Sequence, residues 1–122
     1  MLTHSSLKAF LPTVMPVEAK KFYKDILELK LLSEDNYALP FDANGTFLRI
    51  TIVPQFKPHS FTVLGWDIND IHSAIQLLNE KGVYCEKYDF LEQDSFGVWT
   101  SPSGTKVAWF KDPDGNLLSL SE

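Results

Sequence analysis

The chain has 122 residues, 44% hydrophobic and 22% charged, proportions that exclude a disordered or fibrous protein. A single domain of this length buries roughly two thirds of its unfolded surface, so it can fold without a disulfide or metal staple. Sixteen acidic against eleven basic residues leave a formal charge of −5; without a Lys/Arg cluster there is no electrostatic footprint for nucleic acid or an anionic membrane.

Cys85 is alone, which excludes an intrachain disulfide framework. No apolar run approaches the roughly 18 residues of a membrane span, and residues 1–6 lack the apolar core of a signal peptide, so a cytoplasmic location is expected by default.

Residues 7–11 are short and mostly apolar, and read as a strand ending at Pro12. Pro16 suits the first turn of a helix, and Ala19, Phe22, Tyr23, Ile26 and Leu27 recur on one helical face. Residues 29–32 and 37–41 read as extended, and Asp42-Ala43-Asn44-Gly45 as a hairpin turn. Residues 46–53, rich in Ile, Thr and Val, form the clearest strand of the first half.

The second half repeats the order. Residues 61–66 read as a strand, and Asn69 as the N-cap of a helix with the inner stripe Ile71, Ala74, Ile75 and Leu78. Gly82 stands where a left-handed residue closes that helix. Residues 83–88 read as extended, 89–97 as a polar loop, and 98–100 as a short strand before the turn Ser101-Pro102-Ser103-Gly104. Strands at 105–111 and 117–121 flank the tight turn Asp112-Pro113-Asp114-Gly115-Asn116. The fold class is α+β, one domain over 1–122 built from two βαβββ modules, about 7–54 and about 60–122.

Phe22-Tyr23 on the first helix, Trp66-Asp67-Ile68 before the second, and the run from Ala108 through Phe110-Lys111-Asp112-Pro113-Asp114-Gly115-Asn116 together resemble the vicinal oxygen chelate superfamily. That group includes glyoxalase I, extradiol dioxygenases and the fosfomycin and bleomycin resistance proteins. The resemblance spans nearly the whole chain and implies curled mixed sheets around a cavity, usually completed by a second subunit, so a homodimer is expected.

It also implies four metal-ligand positions, on the first and last strand of each module. Counted from the motifs, these fall on Lys8, Arg49, Val63 and Ser119. Two are cations at neutral pH, one has no donor, and the last is a lone hydroxyl where metal-dependent members carry glutamate. Such a set cannot hold a divalent ion. A shift of one residue reaches Leu7, Ala9, Leu48, Ile50, Thr62, Leu64, Leu118 and Leu120, which do not rescue it. The expectation is therefore no metal and no cofactor.

Strand alternation places Phe10 beside Lys8, and Phe47 and Thr51 beside Arg49, on the cavity face, while Trp66 turns to the helix and Trp99 and Trp109 stay unassigned. Lys8, Phe10, Phe47, Arg49, Val63 and Ser119 are the candidate ligand-binding residues, with the two cations suited to an anionic or carbonyl-bearing small molecule. An internal salt bridge is the competing reading of Lys8 and Arg49. His4, His59 and His72 read as solvated, Cys85 as structural, and Glu86, Asp89, Glu92 and Asp94 as a solvated acidic loop.

The functional expectation is a metal-independent small-molecule binding protein. The alternatives are a glyoxalase-type lyase, isomerase or dioxygenase with unusual ligands, and an interaction module whose cavity is filled by its own aromatic side chains.

Overall fold

The computed structural model describes residues 1–122, in two compact units, Met1–Lys57 and Pro58–Glu122. The first unit runs β1 (Lys8–Thr13), α1 (Pro16–Lys21), a π-helical turn (Phe22–Ile26), β2 (Lys30–Leu31), β3 (Ala38–Ala43) and β4 (Thr46–Ile52). The second runs β5 (Leu64–Asp67), α2 (Ile71–Glu80), β6 (Trp99–Thr100), β7 (Lys106–Lys111) and β8 (Leu117–Ser121). Each unit contributes one four-stranded mixed sheet, ordered β1-β4-β3-β2 and β5-β8-β7-β6. The two orders are the same wiring: the first strand of each unit pairs in parallel with the last, and the other pairings are antiparallel.

Local chemistry explains the elements. Asn44 and Gly45, at φ 51° and 93°, supply both positive φ values of a two-residue hairpin between Ala43 and Thr46. β1 is a sheet edge, the position in a sheet that accommodates Pro12. At the end of α2, Gly82 at φ 84° sits just past the Lys81 cap and hydrogen-bonds to the Asn79 carbonyl.

The first helix departs from a regular α-helix. After Lys21 the bonding widens, and the Leu27 N–H donates to the carbonyl of Phe22 rather than that of Tyr23. Adjacent Phe22 and Tyr23 are both buried, with rings edge-on at 5.0 Å, and Tyr23 reaches Phe41 of β3 at 6.0 Å. The buried side of this sheet is completed by Leu11, Leu39, Leu48 and Ile50.

In the second unit the helix is capped by Asp70, not Asn69: the Asp70 carboxylate accepts from the Ser73 N–H at 3.1 Å and its hydroxyl at 2.7 Å. Ile71, Ile75 and Leu78 are buried, with Ala108, Phe110, Leu118 and Leu120 buried in the sheet. Residues 83–88 form no strand; their tie to the sheet is a Glu86 N–H bond to the Trp109 carbonyl. Strand β5 starts at Leu64, three residues later than the apolar run suggests, although the Val63 N–H already bonds Leu117.

The turn Asp112–Asn116 is held by one buried carboxylate. Asp112 Oδ1 accepts from the N–H groups of Asp114 and Asn116 at 3.0 and 2.9 Å, and Oδ2 accepts from Asn116 Nδ2 at 2.8 Å. This turn fixes the register in which Lys111 faces Leu117, Trp109 faces Ser119 and Val107 faces Ser121.

Candidate functional site

Directly paired residues in a ladder share a face. In the first sheet Lys8 pairs with Phe47, and Phe47 with Asp42; in the next row Phe10 pairs with Arg49, and Arg49 with Pro40. The four residues expected from the first module therefore stand together on the face away from the buried Leu11, Leu48 and Ile50. Phe10 is 62% exposed, and Lys8 lays its ammonium over the Phe47 ring at 5.3 Å. Lys8 is exposed rather than buried, so it does not need the internal counter-charge that a buried cation would require.

Arg49 is half-buried and makes no hydrogen bond or ion pair with the protein. Asp35 feels it only weakly: the Tyr37 and Ala38 N–H groups hold that carboxyl below its ordinary range, and the Arg49 attraction is the smallest contribution. An internal salt bridge, the competing reading of this cation, is therefore not what the side chain forms.

The second sheet places Ser119 between Gly65 of β5 and Trp109 of β7. Val63 stands two residues before Gly65, just ahead of β5, so alternation continues this face toward it. Trp66 points the other way and stacks on Phe110 at 6.4 Å, as strand alternation requires. Trp99 and Trp109, which the sequence does not place, lie 6.3 Å apart with a 34° tilt, and Tyr88 stands edge-on to Trp109 at 5.8 Å.

The positions that the resemblance assigns to metal ligands carry two cations on one sheet and a valine and a serine on the other. A divalent ion needs carboxylate, imidazole, thiolate or comparable donors, and this set does not fit one. No three His, Cys, Asp or Glu side chains gather into a metal-holding group elsewhere in the chain. His59 stacks on Phe61 at 4.6 Å. His72 is not simply solvated: its Nε2 lies 2.7 Å from Asp94 Oδ2, and its ring meets Phe96 edge-on at 5.2 Å.

Asp94 joins helix to loop. Its Oδ1 accepts from the Phe96 and Val98 N–H groups, each at 2.9 Å. Burial alone would raise its carboxyl, but the bonds from His72, Val98 and Phe96 outweigh burial and hold it below the ordinary value. Glu86 is paired to Lys111 at 3.2 Å. Two members of the acidic run, Glu86 and Asp94, are thus committed to internal contacts rather than simply solvated. Burial pushes the Cys85 thiol up to about 11, leaving little thiolate near neutrality, which fits a structural cysteine and not a nucleophile.

Two surface clefts lie apart from the expected residues. One, of about 550 Å³, has Val17, Lys20, Lys24, Glu34 and Asp35 among its lining, with Lys20 and Glu34 paired at 2.7 Å. The other, of about 430 Å³, has Glu92, Asp94, Trp99 and Thr100 among its lining. Volume alone does not make either a functional site.

With the duplicated wiring and its open faces described, the class is defined: the chain has the fold of the glyoxalase/bleomycin resistance/dioxygenase, or vicinal oxygen chelate, superfamily. A glyoxalase family protein from Enterococcus faecalis is 26% identical over 100% of both chains, with a TM-score of 0.70. A member of the same superfamily from Sphaerobacter thermophilus is 22% identical, covering 100% of this chain and 99% of its own, with a TM-score of 0.75. The lactoylglutathione lyase of Agrobacterium tumefaciens is 12% identical, covering 100% and 96%, with a TM-score of 0.77. No family model and no curated relative matches the sequence.

Proposed function

We propose that the protein binds a small anionic molecule without a metal, through the open face of its first sheet. The observation that carries this reading is the half-buried Arg49 guanidinium with no partner in the protein, one ladder row from Lys8 and directly opposite the exposed Phe10. Guanidinium supplies a planar, two-pronged donor for a carboxylate, and Lys8 adds a second charge that need not be aligned. Phe10 and Phe47 give the rest of the ligand an apolar surface. Val63 and Ser119 are proposed as contacts of the second sheet's own open face.

The superfamily resemblance makes a homodimer the proposed assembly. A native mass spectrum of protein purified without added metal or chelator reads the assembly, any bound ion and any co-purified organic mass together. One divalent ion per chain would overturn the metal-free reading.

Binding itself is measured by calorimetric titration with benzoate. Arg49→Ala should weaken it at least tenfold, since a hydrogen bond to a charged group contributes about 1.5–3 kcal/mol, and should move Tm by less than about 3 °C. The reverse ranking would make Arg49 a structural residue.

A further inference from the structure

The open face of the second sheet has a different chemistry. Trp109 is the central side chain: Ser119 stands beside it across the ladder, Trp99 leans against it at 34°, and Tyr88 abuts it at 82°. The nearest charge along its strand, Lys111, is neutralised by Glu86 at 3.2 Å. Ser119 Oγ makes no hydrogen bond within the protein. On its other side is Gly65, where a Cβ would come within 2.6 Å of that oxygen. A residue with any side chain there would crowd the hydroxyl; glycine leaves it open from the β5 side.

We infer that this face takes an uncharged, planar aromatic ring carrying a hydroxyl or carbonyl on its edge. The ring lies on the indole wall and its edge group exchanges a hydrogen bond with Ser119 Oγ. The inference rests on the reading that the open faces of these sheets take a small molecule, and adds the ligand class for the second.

Three features set that class. Flat rings keep contact with tilted indoles where puckered rings lose it, and offset or edge-on aromatic pairs gain energy beyond the area they bury. A hydroxyl without a partner is a polar anchor that both donates and accepts. Lys111, the nearest cation along β7, is paired with Glu86 and so is not free to hold an anion beside Trp109. The Trp109 indole is also braced by Tyr88 and Trp99, so little side-chain freedom is lost when a ring settles on it.

The three tryptophan indole N–H signals in a 15N-labelled sample, assigned through single Trp→Phe variants, test this directly. The probe is 2-naphthol, neutral at pH 7, and its saturated counterpart 2-decalol keeps the hydroxyl without the flat ring. Saturable shifts are expected at Trp99 and Trp109, with Trp66, on the opposite face, unmoved.

2-Decalol should bind about tenfold more weakly, and Ser119→Ala should weaken 2-naphthol about fivefold. Gly65→Ala should do the same by crowding the hydroxyl; if that variant fails to fold, Ser119→Ala carries the test alone. Equal affinity for 2-decalol, shifts as large at Trp66, no saturation, or indifference to Ser119→Ala would each overturn the inference. Loss of 2-naphthol binding with benzoate binding retained removes this inference alone, whereas failure of both probes removes the small-molecule reading.

Discussion

Replacing Asp112 with alanine tests how the aromatic face of the second sheet is held in register. The carboxylate is 6% exposed and serves three donors, two backbone N–H groups and the Asn116 amide, at 2.8–3.0 Å. Alanine removes all three bonds to an ionised acceptor. Asn116, also buried, is left with both its N–H and its side-chain amide without this partner. Each bond to a charged group is worth about 1.5–3 kcal/mol, and water at the turn recovers part of the loss. The net cost should be about 4 kcal/mol.

With a urea slope near 2 kcal/mol/M the unfolding midpoint falls by about 2 M. Asp112→Asn keeps one carbonyl oxygen for the two backbone donors but turns an NH₂ toward Asn116 Nδ2, so it should cost about 1–2 kcal/mol. Urea titrations of the three proteins measure both steps, and hydrogen exchange at the Asp114 and Asn116 amides localises them. A loss below about 1 kcal/mol for alanine, or equal losses for the two variants, would refute the assignment of the turn to this carboxylate.

Three more outcomes follow from the packing. Ile75→Ala, at a fully buried position on α2, should cost about 3 kcal/mol in urea unfolding, whereas Leu77→Ala, at 61% exposure, should stay within about 0.5 kcal/mol. Asp94→Ala should speed amide exchange at Phe96 and Val98, whose N–H groups it receives, with little change in the strands β7 and β8.

Burial holds the Cys85 proton up to about 11 in the folded chain, against an ordinary thiol value of 9.0. The folded state therefore keeps a proton that the unfolded chain releases, and stability should fall as pH rises between those values. Cys85→Ala should flatten that fall in thermal unfolding. Tyr88, also raised chiefly by burial, is present in both proteins and cancels in the comparison.

Much of this architecture is legible in the sequence because period-two alternation and turn residues are local signals. The residues from Leu117 to Ser121 form β8 as expected, and Asn44-Gly45 and Gly82 take the positive φ values that their positions call for. The same alternation assembles Lys8, Phe10, Phe47 and Arg49 on one face. What escapes is decided by partners far along the chain. Residues 83–88 look like a strand but make a single backbone bond to β7, from the Glu86 N–H to the Trp109 carbonyl, and no ladder. Asn69 and Asp70 are both good caps, and the choice falls to the one whose carboxylate meets Ser73. His72 and Asp94 are 22 residues apart, a spacing with no periodic signature. The Trp99–Trp109 wall is hidden because β6 has only two residues, too few for alternation to declare a face.

The repeated strand order has a consequence for how such a chain can change. Every ladder is completed inside its own half, so the backbone frame that presents Arg49 owes no hydrogen bond to the frame that presents Trp109. No ladder carries a substitution on one open face into the pairing register of the other. One blueprint, used twice, has been furnished with cations in one copy and indoles in the other. The two can be re-specified separately, as two dials rather than one.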